Sequence, residues 1–194
     1  NYSIMAHDYA ERIREQRTQK EQYFAQNPRS PIPHGEQADF PGLEYFPVDE
    51  EMRYELPLYE HDERESLTVE TTTGNRQEYR RWGEFRFDVD GTEVTLQAYK
   101  GDPDEDRLWV PFRDETNGEE TYGAGRYLDL ERDQHFRGGT WILDFNQAYN
   151  PTCAYNEAYE CPLIPTENWL DVRIEAGEKD YPGDPHGLEH EHHH

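Results

Sequence analysis

Lysine is nearly missing from this sequence. Lys20, Lys100 and Lys179 are the only three, and arginine supplies the rest of the 19 basic residues. Against them stand 43 acidic residues, for a net charge of -24. A chain of that sign has no cationic footprint for a phosphate backbone and is repelled by anionic membrane surfaces, which argues against both as partners. Long apolar runs are missing too. None approaches the ~20 residues of a membrane span, and no signal peptide opens the chain, so the cytoplasm is the default compartment. Cysteine is limited to Cys153 and Cys161. Their spacing does not make a CxxC pair, and two thiols alone cannot close a zinc site. They read as two buried thiols in a reducing compartment, or as a disulfide around a short loop.

Hydrophobic residues make up 33% of the chain, well under the ~45–50% of ordinary soluble domains. Leu, Ile, Val and Phe together fall below the ~20% that, with high net charge, marks disorder. Disorder is still rejected, because aromatics are 13% of the chain and the turn signals are sharp. The better reading is a folded protein with an extreme surface, adapted to a salt-rich cytoplasm as in a halophilic archaeon. Self-repulsion of this size destabilises a compact state in dilute buffer. At molar salt the Debye length shrinks to ~3 Å and the repulsion is screened.

The length predicts one domain, residues 1–187. Residues 188–194 read as a histidine tag interrupted by Glu191, and their histidines are left out of metal arguments. Residues 3–26 are expected to be helical, with Ser3 as N-cap and a partial stripe of Ile4, Met5, Tyr9, Ile13, Tyr23 and Phe24. The stretch 14–22 is wholly polar, which predicts a surface helix. Prolines and glycines make 27–51 an irregular connection. From residue 52 to 180 the chain is strand-like. Met52, Tyr54, Leu56 and Leu58 alternate, as do Trp141, Leu143 and Phe145. Trp169, Val172 and Ile174 predict a last strand. Gly83 marks a bulge or corner. Asp90-Gly91 predicts a two-residue hairpin that pairs Phe87 with Val94 and Phe85 with Leu96. The sum is a mainly β (α+β) fold, an antiparallel meander forming a barrel or strongly curved sheet with one N-terminal helix.

The stretch LWVPFRDETNGEETYGAGRYLDL (108–130) is the densest in chemistry. Asn117-Gly118 predicts a tight turn, and counting outward puts Arg113 opposite Tyr122, Phe112 opposite Gly123 and Trp109 opposite Arg126. Arg126 then either stacks on Trp109 or serves an anionic ligand. Asp114, Glu119 and Glu120 lack the longer acidic series of a calcium loop, so no metal is expected. Gly123-Ala124-Gly125 lacks the helix that makes a glycine-rich loop bind phosphate. The second candidate is the polar loop DFNQAYNPTCAY (144–155). Asp144, Asn146 and Asn150 there either brace their own backbone or converge on a ligand. His135 is the nearest base for a nucleophilic Cys153, while His7, His34 and His61 read as surface residues.

FRDETNGEETYGAGRYLDL (112–130), DFNQAYNPTCAY (144–155), CPLIPTEN (161–168) and EAGEK (175–179) together resemble the signature blocks of domain-of-unknown-function family 1684, in a haloarchaeal-type member. NPRSPI (27–32), FPGLEYFPVD (40–49) and YRRWGEFRF (79–87) fit the same pattern, so the resemblance runs from about residue 12 to 180. Ile164 departs from it, standing where the family tends to have proline. The resemblance implies that hairpin and loop form one feature. It carries over Asp114, Thr116, Tyr122, Gly125, Arg126, Tyr127, Asp144, Asn146, Tyr149, Asn150, Cys153 and Cys161 as candidates. It implies no established activity and no cofactor.

The leading expectation is a small-molecule-binding β-domain with its pocket between 113–127 and 144–155. Arg113 and Arg126 supply positive charge for a small polar or anionic ligand. Asp114, Tyr122, Asp144, Asn146, Tyr149 and Asn150 complete the set. Two alternatives stand beside it. One is a hydrolase-like enzyme with Asp114 or Asp144 as base; the other is a structural or protein-interaction module. A pocket holding Arg126 with Tyr149 and Asn150 favours the first. Motif side chains that bond only to backbone favour the last.

Overall fold

The computed structural model describes residues 2–185. The tail read as a tag, 188–194, lies outside them. The long helix α1, Tyr2–Gln26, starts one residue before Ser3, so Ser3 sits in the first turn and not at the cap. Residues 27–51 are irregular apart from short 3-10 turns at His34–Asp39 and Glu50–Met52.

Nine strands follow. They are β1 (Arg53–Leu56), β2 (Tyr59–Glu60), β3 (Ser66–Glu70), β4 (Arg76–Val89), β5 (Thr92–Lys100), β6 (Arg107–Phe112), β7 (Arg126–Glu131), β8 (Phe136–Arg137) and β9 (Thr140–Asp144), with a single helical turn α2 at Arg132–His135. All the pairings between strands are antiparallel. The fold is mainly β with one long helix, as expected, but the strands form two sheets and no ladder among the described residues closes a barrel. One sheet has six strands, ordered β2-β4-β5-β6-β7 with β3 also on β4; the other has three, β1-β9-β8. The meander holds from β4 to β7. It breaks at β1, which pairs with the distant β9, Arg53 opposite Asp144 and Leu56 opposite Trp141.

Alternation explains how both faces of the large sheet are used. Phe85, Phe87, Leu96, Val110, Phe112 and Leu128 point one way and meet Trp141, Leu143 and Phe145 from the small sheet and its exit. Trp109 and Tyr127 point the other way, into a smaller cluster with Tyr99 and Ile164. The Asp90-Gly91 turn holds as read. Asp90 and Gly91 both have positive φ, 49° and 84°, and the ladder pairs Phe87 with Val94 and Phe85 with Leu96. The register shift expected at Gly83 falls between Arg81 and Gly83.

Two expectations are corrected. The Asn117-Gly118 hairpin is not a two-residue turn, because Gly118 has positive φ and Asn117 does not. The strands stop at Phe112 and Arg126, which face each other, and Trp109 pairs with Asp129. Residues 113–125 form an open loop. The last strand at Trp169–Ile174 is also absent: the segment bends at Asp171–Val172 and makes one isolated bridge, Trp169 with Arg113. Val172 and Ile174 are buried all the same. The apolar alternation there reflects burial against the body, with no ladder. No helix among the described residues is long and apolar enough to cross a membrane.

Candidate functional site

The 113–125 loop returns to β7 through Gly125, whose φ is 103°. A Cβ there would lie 2.7 Å from the Phe112 carbonyl oxygen, so the backbone passes too close for any side chain. The next residue, Arg126, is fully buried. Its guanidinium donates to the carbonyls of Ala176, Ile174 (2.8 Å) and Glu178 (3.3 Å), and lies 3.4 Å from Asp114 Oδ1. Asp114 Oδ2 accepts from the Thr116 hydroxyl at 2.7 Å and from the Ile174 N–H at 2.7 Å. Thr116 and Thr121 share a further hydroxyl bond at 2.9 Å. Burial pushes the Arg126 pKa down and Asp114 opposes it. This is a clamp that joins the loop to residues 174–178. The expected stacking of Arg126 on Trp109 does not occur. Arg126 lies over Phe112, with 5.1 Å to the ring centroid, and Trp109 stacks on Tyr79 at 4.6 Å.

The 144–155 loop is braced in the same manner. The Asp144 carboxylate accepts from the Tyr9 hydroxyl and the Asn146 N–H. Asn146 trades two bonds with the Asp49 backbone, at 2.7 and 2.9 Å. Asn150 donates to the Lys179 carbonyl at 2.9 Å, and its own N–H meets the Glu178 carboxylate at 3.1 Å. Glu178, fully buried, was not singled out from sequence. It also accepts from Lys20 at 2.8 Å and from the Tyr155 hydroxyl. The available signal was its place in the EAGEK block.

The polar middle of α1 is where sequence reasoning missed most. Arg17 donates to the Phe46 carbonyl at 2.9 Å and the Asn146 carbonyl at 3.3 Å, with its guanidinium 4.4 Å from the centre of the Tyr45 ring. Glu21 accepts from the Leu43 N–H. Ile13, Arg17 and Lys20 line a cleft of about 270 Å³ with Tyr45, Asn146 and Tyr149. The Arg17 Nε and the Tyr45 hydroxyl are both buried without a partner. Helical spacing put these residues on one face, but a run without apolar side chains gave no sign that the face was covered.

Of the eight expected site residues, Asn146 and Tyr149 reach this cleft. Tyr149 also lines a second one, about 410 Å³, and donates to Asp129. Arg113 lies half-buried over the Trp169 ring at 4.3 Å. Tyr122 is half-buried, and burial raises its pKa to about 12. Arg126, Asp114, Asp144 and Asn150 are buried among their own chain's groups and line none of these clefts. Cys153 and Cys161 are free thiols 2.8 Å apart. His135 accepts from the Glu131 N–H and caps its own turn. No group of three or more potential metal ligands comes together among the described residues.

A family of proteins of unknown function, DUF1684, matches residues 38–179. The chain belongs to this family. The DUF1684 match takes in the Arg126–Asp114 clamp, the 144–155 loop and Glu178, but starts after NPRSPI (27–32) and after α1. A search of curated proteins finds no match. Among solved structures, the solution NMR structure of an uncharacterised protein from Haloarcula marismortui is 38% identical. The similarity covers 91% of this chain and 96% of that one, with a TM-score of 0.68.

Proposed function

We propose that this DUF1684 protein is a small-molecule-binding β-domain whose ligand, a small carboxylate with a short apolar body, sits between α1 and the 146–149 turn. The observation that carries this reading is that Arg17 and Tyr45, which line one cleft, each hold a buried donor without a partner, Nε and the hydroxyl. A buried donor without an acceptor costs about 1–3 kcal/mol, a penalty that a bound carboxylate removes. Lys20 also lines the cleft, though its ammonium is already paired with Glu178 at 2.8 Å. Ile13, Ala148 and the Tyr45 and Tyr149 rings supply apolar wall. Asn146 and Tyr149 contact the ligand. Arg113, Asp114, Tyr122, Arg126, Asp144 and Asn150 hold the frame. The hydrolase reading lacks support in the geometry, because Asp114 and Asp144 face donors of their own chain.

Isothermal titration with a panel of monocarboxylates, each run beside its primary amide, tests the proposal. Acids are expected to bind and amides not. Tyr45→Phe is expected to raise stability by about 1 kcal/mol, since it deletes a buried hydroxyl that has no partner, and to weaken acid binding several-fold. Equal binding of acids and amides, or undiminished binding by the Phe variant, would overturn it. The acidic composition further supports a working environment of molar salt.

A further inference from the structure

The outer edge of β3 carries backbone groups that no strand takes. On the inner side, the Glu65 carbonyl accepts from the Arg81 N–H at 2.9 Å, and the Thr71 N–H donates to the Asn75 carbonyl at 2.8 Å. Bonded pairs alternate along an antiparallel ladder. Residues 65, 67, 69 and 71 therefore bond to β4 and its turn, while Ser66, Thr68 and Glu70 direct their N–H and C=O groups outward. The chain itself covers only one end of this edge. The Thr72 N–H donates to the Cys161 carbonyl at 3.0 Å, and the Leu163 N–H to the Glu70 carbonyl at 2.8 Å. Past Leu163 the chain swings away through Pro165 into the 3-10 turn Thr166–Asn168. It leaves a groove of about 630 Å³ between residues 65–70 and 163–167, the largest of the clefts described.

The groove is shaped for a strand. Its floor is an edge with neither proline nor lysine, the usual protections of such edges. Leu163 lies on its wall, 39% exposed. The charge is one-sided: Glu65, Glu70 and Glu167 line it, and its one cation, Arg81, is bound to Glu167 at 2.9 Å. A second copy of this chain would bring its own acidic edge into a groove already lined by Glu65, Glu70 and Glu167, which like-charge repulsion disfavours.

We propose that the β3 edge is a docking site for an extended basic segment of a partner protein. The segment adds as a further strand, bonding to the outward groups of Ser66, Thr68 and Glu70 and placing an apolar side chain against Leu163. The segment carries Lys or Arg to meet the glutamates.

The test is an NMR titration at the lowest salt that keeps the protein folded. The probe is a short synthetic peptide alternating valine and lysine. Its controls are the same peptide N-methylated at alternate residues and a valine–glutamate counterpart. The expected result is slowed amide exchange at Ser66, Thr68 and Glu70 with the first peptide alone. Thr68→Pro removes one outward N–H at an edge position that accepts proline, and is expected to cost roughly tenfold in affinity. Should that variant fail to fold, amide exchange in the unaltered protein decides the matter. Equal binding of the N-methylated peptide, unmoved β3 amides, or a homodimer in sedimentation that Thr68→Pro dissolves would each overturn the proposal.

Discussion

At Arg126 a guanidinium with no exposed surface is held by three carbonyls and one carboxylate. Removing one member of such a pair strands the other, at a cost of about 3–5 kcal/mol. Arg126→Met is therefore expected to destabilise by that amount in chemical denaturation. In that background, Asp114→Asn keeps an acceptor for Ile174 and removes the stranded charge. It is expected to be less costly there than in the unaltered protein, with a coupling above roughly 1 kcal/mol. Additive effects would sink the clamp interpretation. The cysteines give a second residue-level expectation. The thiol of Cys161 draws the Cys153 pKa down to about 7, while its own is raised by the same bond and by burial. The thiolate is the reactive form. Alkylation of Cys153 by iodoacetamide, followed by peptide mass spectrometry, should rise through pH 7 while Cys161 stays unmodified. At this scale the sequence drew attention to individual residues without showing what surrounds them. Asp114 and Arg126 stood out by their chemistry, yet what buries them is the 174–178 segment, distant in sequence. Arg17 and Lys20 passed as solvent-facing because a polar stripe looks the same whether water or protein covers it.

Turns were legible where local geometry alone decides them. Asp90-Gly91 has no outside partner to satisfy, and outward counting gave its register residue by residue. Asn117-Gly118 carries the same kind of signal, but the Asn117 side chain accepts from the Asp114 N–H and donates to Thr121. That bracing suits an open loop and overrides the tight turn. The two kinds of glycine separate by experiment. Gly91 has positive φ but open space around its missing Cβ, so Gly91→Ala is expected to cost about 1–2 kcal/mol. Gly125 adds the approach of the Phe112 carbonyl and the Ile164 side chain. Gly125→Ala should therefore cost clearly more, and thermal melts of the two variants that ranked them the other way would contradict this account. The final segment was misread because alternation marks burial on one side, and a ladder needs in addition a neighbour with free backbone groups.

For the molecule as a whole, the fold class was legible, and the division into two sheets was not. Periodicity identifies strands one at a time, while the β1–β9 pairing is settled by tertiary packing. The net charge makes a prediction that belongs to no single residue. Repulsion spread over the surface is screened at short range by molar salt. The melting temperature is thus expected to climb between low and molar KCl, and a flat profile would remove the case for salt adaptation. Lys20 and Glu178 hold the helix to the far end of the fold across a sequence separation of 158. During synthesis α1 leaves the ribosome ahead of Phe46, Asn146 and Glu178, all of which must be made before its inward face is matched. Chains emerge at about 5–20 residues per second, so the helix waits for many seconds with Ile13 and Phe24 uncovered. The inward face of α1 is thus made well before the residues that complete it, and the nascent chain needs protection there in the interval.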